Sequence, residues 1–323
     1  MIEENSAVPV FEPASQDTFS AECYLLANAD VQEFVRSGGD AAVHFREWGH
    51  AETRRQVSRQ FYSERLGEHG RAKFKRFAHV IDATDRTAVF VEGKDRFPIV
   101  LSDRHYSRED YVHESAHSSF APFLAEMQAN PSNLYLDLGC GLRDKVLPNC
   151  LYLEVYPSLT ADVIVGTDCT YPIRTGSLDG IGCFAVLEHT QKPWLVAEEM
   201  HRMLKPGGSI FVEWPFLQPL HGYPSHFFNA TREGLRSVFS EGFEVSMCTT
   251  LPSHGPDWTI DWVLGEFSRR LPEEKRQRLL AMTVGDLLTH RAQSPFWQDL
   301  LQGLPDDVLS EFACGNSLIA RKL

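Results

Sequence analysis

The chain has 323 residues, of which 43% are hydrophobic, 23% are charged and seven are cysteines. This length predicts one core domain with substantial additions, and no stretch approaches the roughly 20 apolar residues of a membrane span. The formal net charge of −13 counts against a nucleic-acid partner, and cysteines that are odd in number and never spaced as CxxC predict reduced thiols in a cytoplasmic protein.

The first 118 residues are predicted to lie outside the core domain. Residues 1–17 carry acids and prolines but lack the basic and apolar regions of a secretory signal, so we expect a flexible leader. Residues 18–118 predict an N-terminal α+β extension that serves as a substrate or lid region. It should contain a helix around 51–66 and a small meander of short β-like runs at 78–82, 88–91 and 97–101.

A basic stretch interrupts this acidic chain. Between Arg46 and Arg76, nine Lys or Arg residues stand against four Glu residues. Two interpretations are open, a solvated helix face or a surface for an anionic ligand or partner.

Residues 119–323 are predicted to form the core, because apolar strands alternate there with helical segments as in a parallel sheet with crossover helices. Pro193 suits the first turn of one of these helices, and residues 205–208 end it. Six strands are predicted, at 134–138, 151–155, 163–165, 182–186, 209–214 and 243–249.

A helical cap is predicted as an insertion at about 253–308, before a last strand within 311–323. Its aromatic residues either line an acceptor pocket or attach the cap to the sheet. These residues are Trp258, Trp262, Phe267 and Trp297.

One motif stands out as a ligand site. In the sequence Leu-Tyr-Leu-Asp-Leu-Gly-Cys-Gly at 134–141, an apolar strand runs into two glycines separated by one residue. A turn this tight lets a ligand approach bare backbone, and in a doubly wound sheet it lies at the carboxyl edge where ligands bind. Glu154 then ends the next predicted strand, and Asp168 follows the third.

This pattern resembles the class I S-adenosylmethionine-dependent methyltransferases, particularly the small-molecule branch with a Leu-Asp-Leu-Gly-Cys-Gly first motif. The resemblance covers about residues 134–240 and includes Leu-Glu-His at 187–189 and Leu-Lys-Pro-Gly-Gly at 204–208. It implies an α/β fold with a Rossmann-like, seven-stranded and mostly parallel sheet. The N-terminal extension and the helical cap before the last strand would be additions to that sheet.

The resemblance also implies the cofactor, S-adenosyl-L-methionine, which would leave as S-adenosyl-L-homocysteine. Glu154 would accept hydrogen bonds from both ribose hydroxyls, Asp168 would receive the adenine amino group, and Leu187 would line the floor near the sulfonium. The alternatives are that the glycines only make a tight turn, that Glu154 is a surface acid and that Asp168 only forms a turn. The implied cofactor-binding residues are Asp137, Gly139, Cys140, Gly141, Glu154, Asp168, Cys169 and Leu187.

The chain departs from the family pattern directly after the glycines. Leu142 and Arg143 occupy the place of a third glycine, and only about ten residues separate Gly141 from the second strand. The first crossover helix should therefore be short or absent, which disfavours a dinucleotide because pyrophosphate uses a helix N-terminus there. Whether Arg143 or Asp144 points toward the ligand stays open.

The acceptor side is predicted from histidines and aromatic residues. The candidate general bases are His221, His189 and His226. Family members often carry an acid and an arginine near the places of His226 and Asn229, so the substrate class is in doubt. No convergent ligand set indicates a metal. The predicted substrate-binding residues are Tyr106, Tyr111, His113, Trp214, Phe216 and Tyr223.

The predicted function is methyl transfer to an O, N or C nucleophile of a small molecule, such as a sugar or secondary metabolite in biosynthesis. No membrane or nucleic-acid partner is expected, and the sequence does not reveal the oligomeric state. One alternative is an RNA or protein methyltransferase, which the acidic balance disfavours. Another is a non-catalytic cofactor-binding partner of another methyltransferase.

Overall fold

The computed structural model describes residues 7–82 except 67, residues 97–106 except 103, and residues 116–117, 120–222 and 225–314. The chain divides into two compact units, Met1–Glu213 and Trp214–Leu323. The boundary between extension and core that we predicted from the sequence lies at 118/119 instead. The prediction differs because strands before residue 118 pair with strands of the core, which local patterns do not indicate.

All the strands of the described residues lie in the first unit, together with several helices. In chain order its strands are β1 (Val8–Pro9), β2 (Phe11–Pro13), β3 (Arg55–Val57), β4 (Ile99–Val100), β5 (Ala116–His117), β6 (Tyr135–Leu138), β7 (Leu142–Arg143), β8 (Lys145–Val146), β9 (Cys150–Glu154), β10 (Val163–Ile164), β11 (Leu178–Phe184) and β12 (Leu204–Glu213). Its helices are α1 (Ala21–Ala27), α2 (Ala29–Arg36), α3 (Ala41–His44) with a π-helical turn at Phe45–Gly49, α4 (Arg59–Leu66), α5 (Glu68–Phe77), α6 (Ala121–Ala129), a 3-10 turn at Leu187–His189 and α7 (Pro193–Met203).

A parallel sheet of six strands organises this unit, in the order β12-β11-β6-β9-β10-β4. All residues of β6 and β9 are buried, which is typical of central strands in a Rossmann-like α/β fold with both faces covered. The α/β class and the parallel sheet are therefore confirmed. Among the described residues, this sheet has no seventh strand.

The two described runs of the predicted meander do not pair with each other. The run at 97–101 instead supplies β4, which pairs in parallel with β10 at the sheet edge, while 78–82 contributes a turn and one bridge between Ile81 and Ile173. A run of five residues carries too little pattern to distinguish an edge strand of a distant sheet from a local hairpin. The run at 88–91 lies outside the described residues.

Two further predictions near the N-terminus were wrong. Residues 8–13, expected within a flexible leader, form β1 and β2, because Val8 and Val10 are buried in a cluster that includes Val57. The helix expected around 51–66 begins only at Arg59, since residues 55–57 pair with β2 as β3.

The basic stretch is largely engaged within the first unit. The Arg65 guanidinium donates to the Ala161 carbonyl, and that of Arg76 donates to the carbonyls of Pro131 and Asn133. Lys73 forms an ion pair with the buried Asp162 at 2.6 Å, and the same carboxylate accepts the Tyr152 amide. These cations attach α4 and α5 to the amino edge of the sheet, which neither interpretation of the sequence anticipated.

The second unit is helical, as predicted for 253–308. Its helices are α8 (Arg232–Val238), a 3-10 turn at Pro252–His254, α9 (Pro256–Arg270), α10 (Glu273–Leu280), α11 (Val284–Thr289), α12 (Pro295–Leu301) and α13 (Asp306–Glu311). Buried leucines and one valine form its core, at Leu271, Leu279, Leu300, Leu304 and Val308. In the part of the chain described, no helix is long and apolar enough to cross a membrane.

Two strands predicted in this unit are not confirmed. Residues 243–249 form no strand, and Val245 and Met247 are exposed, because the segment has no neighbouring strand to pair with among the described residues. Glu311 ends α13 rather than opening a last strand, and residues 315–323 lie outside the described part of the chain.

We expect Lys73→Met to lower the free energy of unfolding by about 3 kcal/mol, because the buried Asp162 carboxylate would lose its ammonium partner. Urea unfolding measures this change. Lys75→Met is the matched control, since Lys75 lies on the same helix but is exposed, and its effect should stay within about 0.5 kcal/mol. Equal losses in the two variants would contradict an ion pair that holds α5 to the sheet.

Candidate functional site

The glycine turn, residues 139–141, leaves the carboxyl end of β6 in a left-handed backbone conformation that favours glycine. Gly139 has φ +70° and Gly141 has φ +54°. A Cβ on Gly139 would lie 2.3 Å from the Val186 side chain, which follows β11. The amides of Gly139 and Cys140 both donate to the Leu153 carbonyl, at 2.9 and 3.0 Å. The turn therefore lies closely against the ends of both neighbouring strands.

Glu154, the last residue of β9, is hydrogen-bonded directly to this turn. Its carboxylate accepts the Gly141 amide at 2.7 Å and the Val155 amide at 2.7 Å. The Gly141 carbonyl in turn accepts the hydroxyls of Ser158 and Thr160, at 2.5 and 2.9 Å. Glu154 is therefore not a surface acid, and its orientation is fixed by the backbone around it.

Burial raises the pKa of Glu154 to about 7, although the two amide donors act in the opposite direction. Each carboxylate oxygen has two lone pairs, so one bond to an amide leaves each oxygen able to accept a second donor. A ribose diol offers two such donors. The glycine turn and this carboxylate together fit the adenosine-type cofactor that the family resemblance implies.

Arg143 points into the protein and forms a bidentate ion pair with Asp137. Its guanidinium donates to the two carboxylate oxygens at 2.7 and 2.8 Å, and both side chains are buried. Burial alone would lower the pKa of Arg143, but attraction to Asp137 outweighs it and raises the pKa above its usual value. Asp137 was predicted to shape the ligand pocket, and the structure shows its carboxylate bound to Arg143.

The connection from Gly141 to β9 contains no helix, as predicted. It consists of β7, which pairs with β5, and β8, which pairs with β1. Arg143 belongs to this connection and takes the place of a third glycine. The sequence signal for its role was a basic residue two positions after Gly141, although the direction of its side chain could not be read.

Asp168 and Cys169 lie beyond the carboxyl end of β10. Asp168 is exposed, and its carboxylate accepts the amide and the hydroxyl of Thr170, at 3.2 and 2.9 Å. Cys169 is buried with φ +59°, so this turn has a defined backbone shape. The turn-forming role that the sequence left open is present, and the predicted contact with adenine stays a prediction.

The 3-10 turn Leu187–His189 follows β11 and lies next to the glycine turn through Val186. Leu187 is fully buried, and its predicted place on the floor near the sulfonium stays a prediction. Glu188 is also fully buried, and this burial raises its pKa to about 8. The His189 imidazole lies 3.8 Å from the Glu188 carboxylate. The sequence identified His189 and missed Glu188, because no pattern distinguishes a buried acid in a short turn.

Tyr106 is the predicted substrate residue that the first unit places at this edge. Its amide donates to the carbonyl of Val155, the residue after Glu154, at 2.7 Å. Tyr111, His113 and Tyr223 lie outside the described residues.

The remaining acceptor-side candidates lie in the second unit. The buried Trp214 donates its indole N–H to the Phe228 carbonyl at 3.1 Å, and Phe216 is exposed. His226 Nδ1 accepts the His221 amide at 3.2 Å, so its Nε2 carries the proton that faces Asn229 Oδ1 at 2.7 Å. Both nitrogens of His226 therefore hold the loop together.

His221 has a different arrangement within the same loop. Its Nδ1 lies 2.8 Å from the Pro219 carbonyl, which requires the proton on Nδ1 and leaves the lone pair of the neutral ring on Nε2. The ring is half-buried and packs against Trp262, with centroids 4.9 Å apart. Of these two histidines, His221 has the tautomer that suits a general base.

Comparison with known proteins identifies the segment around the glycine turn. Residues 136–212 match the model of a methyltransferase domain family, which supports methyl transfer in general. A Streptomyces fradiae protein described as an uncharacterized 37.1 kDa protein in transposon TN4556 is 25% identical over 223 residues, which cover 57% of this chain. The match covers 65% of that relative, so this chain spans less than two thirds of its length.

Three solved structures show partial resemblance. A Haloferax volcanii complex of the Trm112 methyltransferase activator with a putative methyltransferase matches 34% of this chain and 60% of its own, with 15% identity and a TM-score of 0.26. A Haemonchus contortus phospholethanolamine N-methyltransferase 2, bound to phosphomonomethylethanolamine and S-adenosylhomocysteine, matches 48% and 42%, with 14% identity and a TM-score of 0.30. The [4+2]-cyclase SpnF matches 44% and 64%, with 15% identity and a TM-score of 0.26.

We expect Gly139→Ala to lower the free energy of unfolding by about 3 kcal/mol, from left-handed backbone strain together with the clash against Val186. Gly207→Ala is the matched control, because Gly207 has φ +81° but nothing within 4 Å of its added Cβ, so strain alone should cost about 1–2 kcal/mol. Urea unfolding of Gly139→Ala/Val186→Ala should show partial recovery relative to Gly139→Ala. A loss no larger than that of Gly207→Ala would refute close packing of this turn against Val186.

Proposed function

We propose that this chain is an S-adenosylmethionine-dependent methyltransferase that transfers the methyl group to an O, N or C nucleophile of a small molecule, such as a sugar or secondary metabolite. The observation that carries the proposal is the hydrogen bond from the Gly141 amide to the buried Glu154 carboxylate. This bond joins a glycine turn to a buried carboxylate at the carboxyl edge of a parallel sheet, within the segment that matches the methyltransferase family, and it supports a role for that carboxylate as acceptor of a diol.

Different residues of this edge bind different parts of the cofactor. The turn from Gly139 to Gly141 receives the methionine part, and Cys140 is buried beneath it. Glu154 accepts the ribose hydroxyls, Asp168 the adenine amino group, and the Cys169 backbone lies beside the ring. Leu187 provides an apolar floor near the sulfonium. The Asp137–Arg143 pair stabilises the turn from inside, so Asp137 acts through the backbone rather than on the ligand.

The cofactor supplies an activated methyl group on a sulfonium, which is itself a good leaving group. The protein therefore contributes mainly alignment and exclusion of water. The Val186 side chain packs beside Gly139, and the next residue, Leu187, is fully buried, so apolar side chains exclude water from behind the glycine turn. A nucleophile that carries a proton also needs a base.

His221 is the preferred base, because the neutral tautomer set by Pro219 has its lone pair on Nε2. His189, beside the buried Glu188, is the second candidate. His226 braces the loop through Asn229 and positions His221 through its amide. The acceptor is proposed to contact six residues, namely Tyr106, Tyr111, His113, Trp214, Phe216 and Tyr223.

The engaged basic residues support a small acceptor rather than a nucleic acid, and the free cysteines support a location in the cytoplasm. Arg65, Lys73 and Arg76 bind groups of their own chain rather than forming an open basic surface for a nucleic acid. All seven cysteines are free, which suits a reducing compartment.

Isothermal titration calorimetry with S-adenosylmethionine and S-adenosylhomocysteine tests the cofactor assignment. Both ligands should bind to the wild type, and Asp168→Ala should weaken both about tenfold through loss of the adenine contact. Asp257→Ala, at an exposed acid of α9, is the charge-matched control and should bind as the wild type does. If neither ligand bound to the wild type, the proposed function would be refuted.

Glu154 should make adenosine binding depend on pH. Its folded-state pKa of about 7 lies above the ordinary 4.5, so stability is greatest when the carboxyl is protonated and declines as pH rises through about 7. Binding has the opposite dependence, because the ionised form accepts both ribose hydroxyls. We expect methylthioadenosine, which has no group that titrates near neutrality, to bind about tenfold more weakly at pH 6 than at pH 8.

Glu154→Gln is the control for this titration, since the amide cannot ionise. Its affinity for methylthioadenosine should be low and nearly independent of pH in the same range. If the variant kept the wild-type pH profile, Glu154 could not be the titrating group.

A further inference from the structure

Strand β4 brings a part of the chain outside the methyltransferase domain to the cofactor edge. It is the outermost strand of the sheet and runs parallel to β10, with the Leu101 amide donating to the Ile164 carbonyl at 2.9 Å. Parallel strands end at the same edge. The residues that follow β4 therefore emerge beside the carboxyl ends of β9 and β10, which carry Glu154 and lead to Asp168.

These residues form a short ordered structure, here named the edge turn and consisting of Ser102, Arg104, His105 and Tyr106. The Ser102 hydroxyl accepts the Arg104 amide at 3.0 Å. His105 Nδ1 lies at hydrogen-bond distance, 2.9 Å, from the Ser102 carbonyl. These two contacts define the conformation of the edge turn on its own side.

The edge turn contacts the ends of both neighbouring strands. The Tyr106 amide donates to the carbonyl of Val155, the residue after Glu154. The Val155 amide in turn donates to the Glu154 carboxylate. Two residues beyond the end of β10, the buried Gly166 lies so close that a Cβ added to it would meet Ser102 Oγ at 2.7 Å. Gly166 precedes Asp168 by two residues. The edge turn therefore contacts Val155, which is adjacent to Glu154, and Gly166, which is two residues before Asp168.

We propose that the edge turn is the outer wall of the adenosine subsite and a positioning element for Glu154 and Asp168, an inference that rests on the proposed function. Its ligand chemistry is the ribose diol and the purine, not the amino-acid end, which belongs to the glycine turn. The N-terminal region thereby becomes part of the cofactor site rather than a separate substrate domain.

The substitution Gly166→Ala, made in the full chain, tests the proposal, because the added methyl group would push Ser102 of the edge turn away from the segment that follows β10. Gly166 does not have a positive φ, so the substitution acts through the clash with Ser102 and not through backbone strain. We expect the Kd of S-adenosylhomocysteine and of methylthioadenosine to rise by the same factor, about tenfold, because the two ligands share only the adenosine part. Gly265→Ala, whose added Cβ would have only the Arg269 guanidinium within 4 Å, is the control and should leave both constants unchanged.

Ser102→Ala in the Gly166→Ala background tests the cause of the loss. Removing Oγ relieves the contact, so the double variant should regain most of the lost affinity. If it binds as weakly as Gly166→Ala, the new methyl group blocks the ligand directly and the inference is overturned. Wild-type affinity in Gly166→Ala also overturns it, whereas failure of the wild type to bind either ligand is the failure of the proposed function.

A second pair of variants covers the case in which Gly166→Ala does not fold, as judged by thermal unfolding. Tyr106→Pro removes the amide that donates to Val155, and Tyr106→Ala keeps it. Methylthioadenosine should bind Tyr106→Pro about tenfold more weakly than Tyr106→Ala. Equal affinity in the two variants would show that attachment of the edge turn to Val155 does not contribute to the adenosine subsite.

Discussion

The hydrogen bond between the Gly141 amide and the Glu154 carboxylate is the contact through which the rest of the candidate site is arranged. It joins the loop after β6 to the last residue of β9, two strands that are neighbours in the sheet. Because the carboxylate is buried, it must find donors inside the protein, and two backbone amides provide them. Backbone donors cannot be repositioned by a side-chain rotation, so the shape of the turn and the orientation of the acid determine each other.

The short connection after the glycine turn creates a second requirement. Without a crossover helix there is no helix N-terminus to stabilise charge at the turn, and the buried Asp137 carboxylate needs another partner. Arg143 meets that need with two parallel hydrogen bonds. The structure therefore stabilises the same turn by a buried ion pair and by the small strands β7 and β8, which pair with β5 and β1.

Local patterns in the sequence were sufficient for the central strands β6 and β9, for α7 with its proline at the first turn, and for the helical part of the second unit. Each of these elements has a continuous apolar run or a helical spacing long enough to be read alone. The position of β4 could not be predicted, because its identity comes from pairing with a strand some sixty residues away. Likewise, residues 243–249 have the composition of a strand but no partner among the described residues. The burial of Glu188 and the direction of Arg143 depend on tertiary packing, which spacing does not encode.

The pairing of β4 with β10 also constrains how the protein folds. Ile99 of β4 pairs with Val163, and Val8 of β1 pairs with Val146 of β8, so β1 and β4 have no partner strand until much later residues are available. During synthesis those strands leave the ribosome well before their partners, and their apolar side chains stay exposed to water in the meantime. Contacts of this sequence separation slow folding, because a long loop must close before the contact stabilises anything. The edge of the sheet that carries the candidate site is therefore completed late, and a nascent chain with only its first 140 residues has no such edge.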